Sequence, residues 1–123
     1  MSSTVLIFLF LLFAKHAIAD LAIQRLFPSN KLEYLNKQAH LHYFHHAVGS
    51  FLVGFVYDIR LSIVISSLDY VIHWHVDFAK SHVRHHYGWT EKDLQYWFLQ
   101  SVDQILHYAT YVLFAVLVLQ FYV

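Results

Sequence analysis

The feature that most constrains this chain is a set of apolar segments long enough to cross a lipid bilayer. In the first, Thr4 to Phe27, the only charged residues are Lys15, Asp20 and Arg25. A helix of about 20 apolar residues spans the roughly 30 Å hydrocarbon core of a membrane. Because 59% of the 123 residues are hydrophobic and 13% are charged, the chain is too apolar for an ordinary soluble domain of this size. The sequence therefore predicts an integral membrane protein.

We predict an all-α fold, a bundle of four transmembrane helices that forms a single polytopic membrane domain over residues 1–123. The predicted spans are residues 4–27, 40–57, 61–86 and 93–122. Pro28-Ser29-Asn30 is expected to end the first helix, and Leu32 to Gln38 reads as a polar linker or a short interfacial helix. Gly88-Trp89-Thr90 is expected to separate the last two helices, with Thr90 as a capping residue.

The junction between the second and third spans admits two structures. Asp58-Ile59-Arg60 contains no proline, so one long continuous helix fits as well as a short turn. Two charged residues are cheap at a membrane interface and expensive in lipid. We therefore expect a helical hairpin.

Positive charge is distributed unevenly over the predicted loops. With four spans, the two longer loops and the adjoining helix ends lie on one side of the membrane, and the opposite side has Arg60. The cations on the richer side are Arg25, Lys31, Lys37, Lys80, Arg84 and Lys92. The positive-inside rule then predicts cytoplasmic loops and both termini outside.

The stretch Phe13 to Gln24 has a second interpretation, as the end of a signal peptide cleaved before Asp20 at Ala17-Ile18-Ala19. Two features argue against cleavage. Residues 1–4 contain no lysine or arginine, and Lys15-His16 interrupts the apolar run. We therefore expect a retained helix.

Pairs of histidine and aspartate four residues apart occur in three of the four predicted helices, within a chain that has 11 histidines. Positions four apart share one face of a helix. The polar stripes are His16-Asp20-Gln24, His42-His46, Asp69-His73-Asp77 and Asp103-Gln104-His107. They lie at similar depth, and an isolated charge there costs about 2.5–3.5 kcal/mol or more. One convergent polar cluster is the arrangement that avoids this cost.

Three roles fit such a cluster. It could bind a divalent metal such as zinc, iron or manganese, act as a proton or ion relay, or be a hydrogen-bonded network that only fixes helix packing. For the first role the predicted ligands are His16, Asp20, His46, His73, Asp77, Asp103 and His107. If the protein is an enzyme, a metal-activated water would attack a lipid-linked or membrane-embedded substrate, with Asp20, Asp77 or Asp103 as general base.

Other activities remain open. His42 to His46 and His82 to His86 both fit the HxxHH box of membrane desaturases and fatty-acid hydroxylases, which hold two metals. A third box is missing, however. A bis-histidine haem protein is a further alternative, since four-helix bundles can house haem. A non-enzymatic interaction protein, which binds a membrane protein or a second copy of itself, also fits.

Composition excludes some classes. The formal net charge is zero, so no basic surface indicates a nucleic-acid partner. The absence of cysteine removes disulfides, thiolate metal sites and cysteine nucleophiles. The lipid bilayer is the one partner that the composition itself implies.

Four stretches, "AKHAIADLAIQ", "HYFHHAVGSFLV", "VIHWHVDFAK" and "SVDQILHYATYVL", together resemble the family called domain of unknown function 3307, small polytopic membrane proteins of bacteria and phages. The family pattern falls here on His16, Asp20 and Gln24, on His42 or His46, on His73, Asp77 and Lys80, and on Asp103, Gln104 and His107. The extra histidines from His82 to His86 depart from it. The resemblance implies the same membrane topology and polar set, in a bacterial inner membrane or a phage host's membrane, and names no reaction.

Overall fold

The computed structural model describes residues 3–27 and 29–122, with side chains up to residue 120. Its helices are α1 (Ser3–Leu26), α2 (Lys37–Phe55), α3 (Ile59–Tyr87) and α4 (Leu94–Tyr122). The described ranges contain no β-strand, so the all-α prediction is confirmed. Two described helices, Ser3–Leu26 and Leu94–Gln120, are long and apolar enough to cross a membrane.

The start of α2 differs from the prediction by three residues. The Asn36 side chain accepts a hydrogen bond from the Ala39 amide at 3.0 Å and caps the helix. Lys37 and Gln38 therefore belong to α2 and not to the preceding linker. The predicted helix stop at Pro28 lies outside the described residues.

A tight turn separates α2 from α3, as a hairpin requires. The Asp58 carboxylate accepts hydrogen bonds from the backbone amides of Arg60 (2.7 Å) and Leu61 (3.3 Å), which caps α3. Near the turn the two backbones approach closely, since a Cβ atom on Gly54 would lie 2.7 Å from Ser62 Cα. The two helices are thus separate and antiparallel, and the continuous-helix alternative is wrong.

The end of α3 follows the predicted break. Gly88 has a left-handed φ of 67°, and its amide donates to the Arg84 and His85 carbonyls. The Thr90 amide then donates to Asp93 Oδ2 at 2.8 Å, just before α4 begins. Since α4 begins at Leu94, this bond closes the turn that precedes the helix, and Thr90 is not the residue that directly caps it.

Helix α1 contains a wide turn that the sequence did not predict. Residues Ile18–Ile23 are π-helical, within a helix that is otherwise α-helical from Ser3. Asp20 lies inside this turn. π-helical turns are rare and often occur at functional sites.

The interior of the bundle has an apolar half and a polar half. At the end that holds the α2–α3 turn, the Tyr57 hydroxyl donates to the Thr4 carbonyl at 3.2 Å. The apolar core fills this half and comprises Val5, Phe8, Leu12, Val53, Leu61, Ile65, Tyr111, Phe114, Ala115 and Val118. The other half, toward the cation-rich helix ends, contains buried histidines and aspartates.

Candidate metal centre

The histidine cluster lies at the middle of the bundle. His46 is the central residue of α2, His73 the central residue of α3, and His107 the central residue of Leu94–Gln120. Their rings stack, with centroids 3.7 Å apart for His46 and His73 and 3.9 Å apart for His73 and His107. All three are buried. One ring from each of α2, α3 and α4 thus forms a continuous stack at the centre of the bundle.

The first group of side chains that could hold a metal ion is Asp20, His42, His46 and His73. Asp20 Oδ1 lies 3.3 Å from Nε2 of His42 and 3.3 Å from Nε2 of His46. It lies 3.8 Å from Nε2 of His73. Two ligand atoms held tetrahedrally at about 2.0–2.1 Å from one zinc ion are about 3.3–3.4 Å apart. The spacing of these atoms is thus close to that of a coordination shell.

A second group, His73, Asp77 and His107, shares a histidine with the first. Asp77 Oδ2 lies 3.2 Å from His73 Nε2, and Asp77 Oδ1 lies 3.1 Å from His107 Nε2. Nε2 of His73 faces both Asp20 and Asp77. The single lone pair on this nitrogen can bind only one metal ion at a time. The two groups therefore describe two neighbouring positions that one ion could occupy.

His42 and His73 are the least satisfied side chains of the cluster. Both ring nitrogens of each are buried without a hydrogen-bond partner among the described residues. A buried polar group without a partner costs about 1–3 kcal/mol. A metal ion between these rings would supply the missing partner for one nitrogen of each.

His16, a predicted metal ligand, faces the interior but is hydrogen-bonded through both ring nitrogens. Its Nδ1 lies 2.8 Å from the Tyr111 hydroxyl and its Nε2 lies 3.0 Å from Gln104 Oε1. Because a carbonyl oxygen can only accept, Nε2 carries the proton and Nδ1 accepts from Tyr111. Neither nitrogen keeps a lone pair for a metal, and His16 belongs to neither metal-capable group.

Asp103 also lies beside the metal-capable groups. Its Oδ1 is 3.2 Å from His107 Nε2, and its Oδ2 accepts from Gln104 Nε2 at 3.0 Å. The carboxylates of Asp77 and Asp103 thus both face Nε2 of His107. Gln104 also donates to Asp20 Oδ2 at 3.0 Å, so one amide connects the α1 and α4 carboxylates.

Three lysines enter the polar half of the bundle, each beside a buried aspartate. Lys15 Nζ pairs with Asp69 at 2.5 Å. Lys31 Nζ pairs with Asp77 at 2.8 Å, and Lys80 Nζ lies 3.4 Å from Asp103 Oδ2. These contacts neutralise most of the acidic charge in the cluster.

Two contributions to the site were not predicted from the sequence. The predicted ligand set contained His46 but not His42, and the structure brings both into one metal-capable group. Lys15 and Lys31 were given no role in the interior. Lys15 packs against α2, where a Cβ atom on Gly49 would lie 2.9 Å from Lys15 Cδ.

The two HxxHH boxes lie in different environments. His42 and His46 face the cluster, whereas His45 lies in neither metal-capable group. His82, His85 and His86 are exposed at the end of α3 and also lie outside both groups. The histidine rings of the cluster are in direct contact, so this structure has no gap for a porphyrin between them.

Fold and site together define an all-helical protein with a buried His/Asp centre that could hold a metal ion. Comparisons with protein-family models, with curated proteins and with solved structures give no match to this chain. The resemblance to the family of unknown function stays a prediction.

Proposed function

We propose that this is an integral membrane metalloprotein whose four helices cross the bilayer and hold one divalent ion at their middle. The observation that carries the proposal is the unbonded state of His42 and His73. Nε2 of His42 lies 3.3 Å from Asp20 Oδ1 and Nε2 of His73 lies 3.2 Å from Asp77 Oδ2, yet none of the four ring nitrogens has a hydrogen-bond partner in suitable geometry among the described residues. A bundle that needed these histidines only for packing would be expected to satisfy them.

The surface supports the membrane location. The bundle exposes large apolar side chains, such as Phe10 (69%), Leu52 (61%) and Ile105 (62%), while it buries histidine and aspartate. This distribution suits lipid as the solvent and is the reverse of that in a soluble protein. The cation-rich ends of the helices would face the cytoplasm, with both termini outside.

The donor set indicates the class of metal. Imidazole nitrogens and carboxylate oxygens together suit zinc, iron or manganese. Asp20, His42, His46 and His73 would hold the ion, with Asp77 beside them. Since His73 is shared between the two groups, we expect one ion per chain.

Hydrolysis of a membrane-embedded substrate is the chemistry we propose for the centre. A bound divalent metal would supply an activated water at neutral pH. His107 Nε2 donates to Asp77 Oδ1 at 3.1 Å, which leaves the buried Asp103 Oδ1 without a hydrogen-bond partner among the described residues and able to accept a proton. The proposal therefore assigns Asp103 as general base.

Metal analysis of the protein purified from membranes tests the metal centre. We expect about one zinc, iron or manganese per chain, and His73→Ala should lose it. His75→Ala is the matched control, because His75 lies two residues away on α3, exposed and bonded to Tyr34. No stoichiometric metal in the unaltered protein, or equal metal in His73→Ala, would leave a purely structural network.

Reporter fusions test the topology. A cytoplasmic reporter fused at Tyr34 should be active, and one fused at the C-terminus should be inactive. The opposite result at the C-terminus would overturn the assignment of both termini to the outside.

A further inference from the structure

We propose that a polar cleft at the cation-rich end of the bundle and an apolar groove beside it form one binding site for a phosphate-bearing membrane lipid. The phosphate lies in the cleft and an acyl chain lies in the groove. This inference rests on the membrane location in the proposed function and does not depend on the metal.

The cleft carries an excess of positive charge. It has a volume of about 300 Å³, and its walls include Lys31, Lys80 and Arg84 but no carboxylate. Lys31 and Lys80 each contact an aspartate behind the wall. Within residues 3–27 and 29–122, no carboxylate pairs with the Arg84 guanidinium. Guanidinium binds phosphate oxygens through two parallel hydrogen bonds, so Arg84 is the residue we assign to the phosphate.

Neutral donors line the same cleft. The Ser29 hydroxyl is buried and has no hydrogen-bond partner among the described side chains and backbone. The Tyr96 hydroxyl accepts from Gln100 Nε2 at 3.2 Å, which leaves its own proton free to donate. A phosphate group accepts many hydrogen bonds, and these hydroxyls would supply them next to Arg84.

The apolar groove continues directly from the cleft. It lies between α3 and α4, has a volume of about 340 Å³, and shares Lys80 and Leu99 with the cleft. Its other apolar walls include Val76, Ala79, Val83, Val102 and Leu106. A free phosphate would leave this groove empty. A lipid fills both parts, which is why we assign a lipid as the occupant.

The depth of the cleft fits the level of lipid phosphates. Arg84 follows His73, the central residue of α3, by 11 positions. That separation is about 16 Å along a helix, close to the half-thickness of about 15 Å for the hydrocarbon core. The guanidinium therefore lies where the hydrocarbon region meets the head groups.

Native mass spectrometry of the protein in nanodiscs tests this site. The discs contain phosphatidylcholine with a minor fraction of phosphatidic acid, and the measurement is the number of phosphatidic acid molecules retained per chain after release. We expect one, retained in preference to phosphatidylcholine, with binding weakened about tenfold or more in Arg84→Gln. Arg25→Gln is the matched control, since it removes a cation from the same side of the membrane outside the cleft.

Two further arms separate lipid from free phosphate. Ala79→Trp should obstruct the groove and weaken phosphatidic acid retention, while excess inorganic phosphate should not displace the lipid from the unaltered protein. Displacement by inorganic phosphate, or unchanged retention in Arg84→Gln, would overturn the lipid site. Arg84→Gln is expected to keep its metal, so loss of metal and loss of lipid report separately on the two proposals.

Discussion

The Lys15 ammonium lies 2.5 Å from the Asp69 carboxylate, and this ion pair is almost completely buried between α1 and α3. The Ser50 hydroxyl donates to the same carboxylate, and Lys15 also donates to the His46 carbonyl at 3.1 Å. The pair thus connects α1, α2 and α3 at the level of the histidine cluster.

Removing one partner of this pair should be much more harmful than removing both. Lys15→Met or Asp69→Leu alone leaves an uncompensated buried charge, and we expect a loss of about 3–5 kcal/mol in the free energy of unfolding. The double variant Lys15→Met/Asp69→Leu should recover a large part of it. Unfolding in mixed detergent micelles measures all four proteins, and additive losses would contradict a direct pairing.

Metal binding should stabilise the folded protein. An ion present at about 100 times its dissociation constant, bound only by the folded state, adds about 2.7 kcal/mol to the free energy of unfolding. Chelator should therefore lower Tm of the purified protein, and added zinc or manganese should restore it. His42→Ala should show neither response, since His42 belongs to the first ligand group. Equal responses in His42→Ala would place the ion elsewhere.

Close packing of α2 on α3 predicts a strong effect at Gly54. In Gly54→Ala the new methyl group would meet the Ser62 backbone, which cannot move as a flexible side chain can. Overpacking of this kind costs about 1–3 kcal/mol. Gly88→Ala serves as the comparison. It meets no atom within 4 Å and has only the cost of its positive φ, about 1–2 kcal/mol. A harmless Gly54→Ala would mean that the two backbones are farther apart.

The α2–α3 turn should make a pH-dependent contribution to stability. The Arg60 side chain hydrogen-bonds the Asp58 carboxylate and lowers its pKa below the ordinary value of 3.8. A carboxyl group with a lowered pKa in the folded state stabilises the fold above its ordinary value, and that contribution is lost as the pH falls through the folded pKa. Asp58→Asn keeps a capping oxygen but cannot ionise. The difference in Tm between the unaltered protein and Asp58→Asn should therefore shrink below about pH 3.8, and a constant difference would contradict this assignment.

Helix positions and the convergence of polar stripes were predictable because both follow from local rules. The spacing of four between His73 and Asp77 places them on one face of α3, and the cost of an unpaired buried charge brings that face against the other polar stripes. Gly88 and Asp58 mark helix ends by conformational preferences that need no tertiary contact.

The details of the site depend on tertiary structure. His16 shares the spacing of the other pairs, yet its ring nitrogens bond Tyr111 and Gln104 on α4, an outcome set by the rotation of one helix against another. Lys31 reaches Asp77 from a loop, through a long side chain whose direction no periodicity encodes. The family pattern could fall on His42 or on His46, whereas in the structure both histidines lie in one group with Asp20.

The π-helical turn at Ile18–Ile23 also changes what α1 can tolerate. Such a turn contains one more residue than an α-helical turn. The residues after it are therefore shifted by one position in the helical repeat relative to the residues before it. Deleting Leu21, whose side chain is 73% exposed, would let α1 return to regular α-helix. Elsewhere in α1 the same deletion would turn one half of the helix by about 100° against the other. The segment from Ile18 to Ile23 is thus the place where this helix could gain or lose a residue during evolution without losing its register.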